Sequence, residues 1–213
     1  MTDAFAQFIP EARAFLTDLS AHNTRDWFAD HKPQYEAQLK RPARLLLDQV
    51  AADLTRRTDT KVCTKLFRPQ RDVRFSKDKT PYHTHLHMLW QVGHYGLFLG
   101  LSPSYVRVGG GIMAYDKSQL LRWRAAVDQE FGDQLQALLD ILALRNFAPD
   151  TPELKRVPAP YDKSHPHGRL LRRKSLTVWA ELPDAQIRHP VAALDGSFAT
   201  LKPLLDLLGE AGI

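Results

Sequence analysis

The sequence is poor in cysteine and has no long apolar run. Cys63 is its only cysteine. An intrachain disulfide is therefore excluded, as is a zinc site built from several thiolates. The expected compartment is a reducing one, the cytoplasm. No stretch approaches the ~18 consecutive apolar residues of a spanning helix, so no membrane partner is expected. Residues 1–10 carry Asp3 and no positive charge ahead of their apolar residues, unlike a secretory leader. There is no Gly-x-Ser-x-Gly elbow. Gly109-Gly110-Gly111 lacks the spacing and the Lys-Ser/Thr of a phosphate loop, and is expected to let the backbone turn. Nothing implies a cofactor.

What is present is ordinary globular material: 213 residues, 44% hydrophobic and 25% charged. One domain over residues 1–213 is expected, with a core that needs no disulfide or metal. Charge is distributed unevenly. The net charge is +5, yet residues 61–79 hold seven Lys/Arg against Asp72 and Asp78, for +5. Residues 155–174 hold seven against Asp162, for +6, which leaves the rest of the chain at −6. Two solvated loops would give this pattern; so would an anion-binding site.

Apolar periodicity divides the chain. Ala12, Phe15, Leu16 and Leu19 recur at helical spacing behind Pro10, placed at the first helical position. Asn23 or Thr24 can cap a second helix carrying Trp27 and Phe28. Pro33 can open a third, with Tyr35, Leu39, Leu46, Val50 and Leu54 as its stripe and Pro42 as a kink or restart. Residues 71–76 then alternate as a strand, with Val73 and Phe75 toward the core and Asp72, Arg74 and Ser76 opposite. Residues 82–90 alternate again, with His83, His85 and His87 on one face. Residues 95–101 and 105–108 read as two further strands, and the short connections favour antiparallel pairing. Asp116 or Ser118 can cap one long helix running from Leu120 to Leu142. Residues 149–166 carry five prolines and read as irregular. Residues 170–179 suit a short strand, and 199–208 a closing helix. The fold class is α+β: an antiparallel β meander in the middle, packed by N-terminal, central and C-terminal helices.

The run Phe67-Arg68-Pro69-Gln70-Arg71-Asp72-Val73-Arg74-Phe75-Ser76-Lys77-Asp78-Lys79-Thr80-Pro81-Tyr82-His83-Thr84-His85 resembles the hallmark of an uncharacterised family, domain of unknown function 2461. Asn23-Thr24-Arg25-Asp26-Trp27-Phe28 agrees with it upstream. Gly109-Gly110-Gly111 with Leu120 and Arg124 agrees in the middle. Leu154-Lys155-Arg156-Val157-Pro158, Tyr161-Asp162 and His165-Pro166 agree downstream. The resemblance covers nearly the whole chain and implies one domain, without a mechanism. The family pattern has lysine where His83 stands and a small residue where His87 stands, so only His85 of the three histidines matches.

Several side chains are expected to carry chemistry. Arg68, Arg71, Arg74, Lys77 and Lys79 offer guanidinium forks and point charges to a phosphorylated or carboxylated ligand, with Asp72 orienting an arginine. Lys155, Arg156 and Tyr161 are expected to bind the same small anion, the two basic segments converging. His85, His165 and Asp72 are the candidates for catalysis. Structural pairing of Asp72 and Asp78 with neighbouring cations explains the same residues. No metal is assigned to the histidines; a partly buried His85, hydrogen-bonded in the sheet, is expected instead. Two other readings stay open. One is a nucleic-acid-binding module that uses both segments as a phosphate track. The other is a structural or interaction protein without catalysis.

Overall fold

Residues 8–58 satisfy their backbone locally and bury one apolar stripe. The computed structural model describes residues 5–213, so Asp3 lies outside the described residues. Helix α1 (Phe8–Ala21) buries Phe8, Ile9, Ala12, Phe15, Leu16 and Leu19. It begins two residues before Pro10, which therefore sits inside the first turn, where a missing N–H costs nothing. Thr24 caps α2 (Arg25–Asp30), its hydroxyl accepting the Trp27 N–H at 3.3 Å. Helix α3 (Lys32–Gln34) runs through a π-helical turn (Tyr35–Lys40) into α4 (Arg41–Thr58). Pro42 has no N–H to donate. The widened turn in front of it, closed by Arg41 N–H to Glu36 O, absorbs the expected kink without breaking the helix. Tyr35, Leu39, Leu46, Val50 and Leu54 are all buried.

The sheet has six strands in the order β1-β2-β3-β4-β6-β5. They are β1 (Val62–Leu66), β2 (Leu86–Val92), β3 (Tyr95–Leu101), β4 (Val106–Ile112), β5 (Ala148–Pro149) and β6 (Leu176–Glu181). Strand β1 pairs antiparallel with β2, Val62 opposite Val92 and Leu66 opposite Met88. Strand β5 pairs antiparallel with β6. Between β4 and β5 stand α5 (Lys117–Val127) and α6 (Glu130–Ala143); α7 (Gly168–Leu171) precedes β6. After β6 come α8 (Asp184–Ile187) and α9 (Pro190–Glu210). The class is α+β. Among the described residues no helix is long and apolar enough to cross a membrane.

Five local expectations are corrected. Residues 71–76 are a loop: Val73 is half-buried and Phe75 is 97% exposed. Side chains there give the backbone partners that a neighbouring strand would otherwise supply. Asp72 Oδ1 accepts the Arg74 N–H at 3.2 Å, and Lys79 Nζ donates to Val73 O at 3.0 Å. Strand β2 starts at Leu86, and before it only a Gln70–Tyr82 bridge closes the base of the loop. The glycine triplet lies inside β4, where a turn was expected. A Cβ on Gly109 would meet Val178 O at 2.5 Å and the Trp179 ring at 2.6 Å. One on Gly111, whose φ is +134°, would collide with the backbone of Leu176. Close approach to β6 is thus the reason for glycine. The expected long helix is two, because Asp128 ends α5 and Gln129 opens α6. Residues 170–179 begin as helix α7 and become strand only at Leu176.

The chain divides into two units. Unit 1 holds the chain up to Gly93, Phe98–Val108 and Glu181–Gly196. Unit 2 holds His94–Leu97, Gly109–Ala180 and Ser197–Ile213. In unit 1, α4 packs on β1 and β2, and Trp90, fully buried, donates its indole N–H to Leu47 O at 3.0 Å. In unit 2, Trp123 does the same work: it is fully buried, stacks on Tyr115 and donates to Leu170 O at 3.1 Å. Each indole buries a large apolar body while its one polar atom is satisfied.

Candidate functional site

The first basic segment lies in unit 1 and is largely self-paired. Arg74 grips Asp72 bidentately, Nε to Oδ1 at 3.0 Å and Nη2 to Oδ2 at 2.6 Å. Those bonds hold the Asp72 carboxyl below its ordinary value and push the Arg74 guanidinium up. The Arg74 side chain is 77% exposed. Arg71 donates to Asp78 Oδ2 at 2.6 Å and to both oxygens of Thr80. Asp78 is pulled down to about 2, chiefly by the Thr80 backbone and hydroxyl, then by Arg71. Lys79 reaches Val73 O, while Lys77 is exposed and forms no ion pair among the described residues.

Behind this loop a cleft of about 520 Å³ is lined by Lys65, Leu66, Phe67, Arg68, Gln70, Asp72 and three histidines. Asn23 holds Tyr82, the residue before His83, accepting the Tyr82 N–H at 3.1 Å and donating to Tyr82 O at 2.9 Å. Tyr82 also stacks on Phe28 at 4.1 Å. The rings of His83 and His85 lie 4.7 Å apart, and those of His85 and His87 stack at 4.0 Å and 19°. His87 Nε2 lies 3.0 Å from the Tyr105 hydroxyl; among the described residues His85 makes no such bond, so the hydrogen bond expected of it is found at His87. Gly100 leaves room for this pair, since a Cβ there would come within 3.1 Å of the His87 ring. Burial, then the neighbouring imidazoles and Arg107, press His87 down to about 4. His85 is lowered by burial, His83 and Arg107, and His83 by burial and Arg71. All three rings are therefore neutral near pH 7. Among the described residues no group of three or more His, Cys, Asp or Glu is arranged to hold a metal ion.

The second basic segment lies in unit 2 and is built differently. A concavity of about 500 Å³ is lined by Lys155, Arg156, Val157, Lys163, His165, Pro166, Gly168, Arg169 and Arg172. Five cations face it and no carboxylate does. None of the five forms an ion pair among the described residues; Arg172 meets only carbonyls, Gly168 O at 3.3 Å and Lys155 O at 3.5 Å. Two histidine–aspartate pairs hold the wall. His165 Nδ1 accepts the His167 N–H at 3.0 Å, which makes Nε2 its protonated nitrogen, and that N–H donates to Asp128 Oδ1 at 2.9 Å. His167 Nε2 lies 2.9 Å from Asp133 Oδ1. Asp162 accepts the Ser164 N–H and hydroxyl. Both ring nitrogens of His165 are thus engaged, which braces the wall. Tyr161 packs edge-on to His165 at 6.3 Å and does not line the concavity.

More positive charge stands behind that wall. Arg173 is 1% exposed, and its Nε has no partner among the described residues. Burial and the adjacent Arg169 lower its pKa, while Glu153, Tyr115 and Asp150 oppose the shift.

Arg68, Asp72 and His85 therefore share one cleft, whereas Arg71, Arg74, Lys77 and Lys79 stand outside its lining. Lys155 and Arg156 share the other concavity with Lys163, Arg169 and Arg172, which sequence reasoning counted but did not single out. The signal was available: Arg169 and Arg172 stand three apart just after Pro166, the spacing of neighbours on a short helix. Lys65 had none, since only β-pairing shows which way β1 turns its side chains.

A family model described as conserved hypothetical protein (DUF2461) matches residues 11–206. No curated protein and no solved structure matches the chain.

Proposed function

The chain belongs to the DUF2461 family, and on that premise we propose that it binds a small phosphorylated or carboxylated anion in the concavity of its second basic segment. One observation carries this reading: five cations, Lys155, Arg156, Lys163, Arg169 and Arg172, line one hollow without a carboxylate among them. Like charges held together repel, and low-dielectric walls sharpen the field they share. A bound anion removes that repulsion, and guanidinium forks match phosphate or carboxylate oxygens in pairs. The reading is of binding: the histidine in the lining has both ring nitrogens engaged. The first segment serves structure here, since Arg71 and Arg74 are tied to Asp78 and Asp72. A reducing, cytoplasmic setting suits an exposed lone cysteine.

The test is calorimetric titration with pyrophosphate, citrate and a panel of sugar phosphates. At least one is expected to bind with an affinity that falls as salt rises. Lys163→Ala with Arg169→Ala is expected to weaken it by roughly tenfold or more, since hydrogen bonds to charged groups contribute ~1.5–3 kcal/mol each. If no anion binds, or the double variant binds as well as the parent, the proposal fails.

A further inference from the structure

We propose that the outer edge of β1 is a docking site for an extended acidic peptide, which adds a strand to the six-stranded sheet. Strand β1 stands at one end of the sheet order, with β2 on one side only. Phe67 N–H donates to His87 O at 3.0 Å, which continues the β1–β2 register, Leu66 opposite Met88, by one residue. In an antiparallel ladder, residues that exchange bonds with the partner strand alternate with residues whose N–H and C=O point away. Phe67, Lys65 and Cys63 therefore bond toward β2, and Val62, Thr64 and Leu66 turn their N–H and C=O groups to the open side. Among the described residues nothing hydrogen-bonds to those outward groups. The edge is accessible, since Cys63, Thr64 and Lys65 are all exposed. A row of free N–H and C=O groups is what an extended peptide pairs with.

The charge around the edge selects the guest. Lys61, Lys65 and Arg68 are exposed along this stretch, and none forms an ion pair among the described residues. The loop that follows is self-paired; the strand before it is not. Side chains of an added strand alternate between the two faces of the sheet, and cations stand on both. On the face toward α4, Leu66 and Arg68 share a hollow of about 360 Å³ with Lys32, Lys40 and Arg44. On the other face, Lys65 and Arg68 share the histidine-lined cleft. The carboxylates of these two linings are already taken, Glu36 by Lys40 at 2.6 Å and Asp72 by Arg74. A peptide with Asp or Glu on both of its faces therefore gains charge-assisted hydrogen bonds on either side. A second copy of β1 would set Lys61 and Lys65 against their own kind, and edge lysines disfavour pairing between identical strands. The acidic peptide is thus the better match. The site lies in unit 1 and goes beyond the anion reading, which concerns unit 2.

The experiment follows amide hydrogen exchange by NMR in the full chain, alone and with capped peptides. Alone, the amides of Thr64 and Leu66 are expected to exchange freely while those of Cys63 and Lys65 are protected. A capped Val-Glu-Glu-Val-Glu-Glu peptide, acidic on both faces, is expected to slow exchange at Val62, Thr64 and Leu66, with an affinity that falls as salt rises. Its Val-Lys-Lys-Val-Lys-Lys counterpart should leave them unchanged. Methylating every second backbone N–H of the acidic peptide keeps its charge; one phase of methylation should abolish binding and the other spare it, because only alternate amides face β1. Thr64→Pro removes one outward N–H at an edge position that tolerates proline, and is expected to weaken the peptide by roughly 2- to 10-fold, the range of one neutral hydrogen bond. Lys65→Glu with Arg68→Glu should weaken it by roughly tenfold or more. The proposal is overturned if the acidic peptide does not bind, if it binds without protecting Thr64 and Leu66, or if the lysine peptide binds as well. Protection of the same amides that grows with protein concentration alone would mark a second copy as the occupant. A single-stranded adenylate hexamer that binds more tightly than the peptide and protects no edge amide would mark a nucleic-acid site; either result overturns the acidic-peptide reading. Should Thr64→Pro fail to fold, the methylated peptides and the charge reversal decide the matter. The anion reading stands or falls separately, since its variants lie in the other segment.

Discussion

The two basic segments carry nearly the same charge and put it to opposite uses. In the first, acids sit two or seven positions from the arginines they bind: Asp72 takes Arg74 and Asp78 takes Arg71. The pairs are local, so they shape a loop and neutralise two of the segment's seven cations. In the second, the acids that matter come from elsewhere in the chain and bind histidines instead of cations. Asp128 and Asp133 hold His165 and His167, and the lysines and arginines keep their charge. A count of Lys and Arg therefore says little about binding; what decides is where the carboxylates go.

The largest expected effect tests how the second segment is anchored. Gly111→Ala places a Cβ into the Leu176 backbone at a φ of +134°. Overpacking and backbone strain together should cost ~3 kcal/mol or more, read as a collapse of the denaturation midpoint or as failure to fold. A variant that melts like the parent would show that β4 and β6 can part at no cost.

Next comes the brace. His165→Ala leaves Asp128 without its partner and frees one wall of the concavity. A loss of ~1–2 kcal/mol in stability is expected, with anion affinity falling alongside it. If affinity falls while His165→Asn restores neither quantity, the ring's packing against Tyr161 matters more than the hydrogen bond.

Acid should find the histidines of the first cleft. His87 sits near 4 when folded and near 6.5 when unfolded. Between those values the unfolded chain takes up a proton that the folded chain refuses, so stability is complete above pH 6.5 and declines as pH falls toward 4. The groups facing His87 are His83, His85, Arg107 and the Tyr105 hydroxyl; none supplies negative charge near neutral pH. With solvent screening of a half-buried ring, the loss is about 1–2 kcal/mol. His87→Gln should flatten the melting temperature across that window, and an unchanged pH profile would contradict the burial that keeps the ring neutral.

The smallest effect is expected at Arg74. Its pair with Asp72 is solvent-exposed, and neither group is left buried when the other is removed. Arg74→Ala should leave anion binding and the melting temperature unchanged within error. A clear drop in either would move function back into the first segment and undo the contrast.

The sequence shows most clearly where the backbone meets its own needs. The stripes of α1 and α4, the Thr24 and Asp116 caps, and the burial of Leu86, Met88 and Trp90 all follow from spacing and local chemistry. Residues 71–76 show the limit. Their alternation is that of a strand, but Asp72 and Lys79 satisfy the backbone by themselves, and no strand forms. The glycine triplet shows it again: three glycines permit a turn and a close approach equally, and only the presence of β6 against β4 selects the second.

By itself the sequence determined the α+β class, the central run of strands and the placing of positive charge in two segments, because periodicity, caps and charge are properties of neighbours along the chain. Tertiary structure alone decided which cations remain free. His165 and His167 find Asp128 and Asp133 across 37 and 34 residues, and the hollow of Lys155, Arg156, Lys163, Arg169 and Arg172 exists only once that loop is fastened. An electrostatic partner is chosen by distance in space, and distance in space is what a chain lacks until it folds.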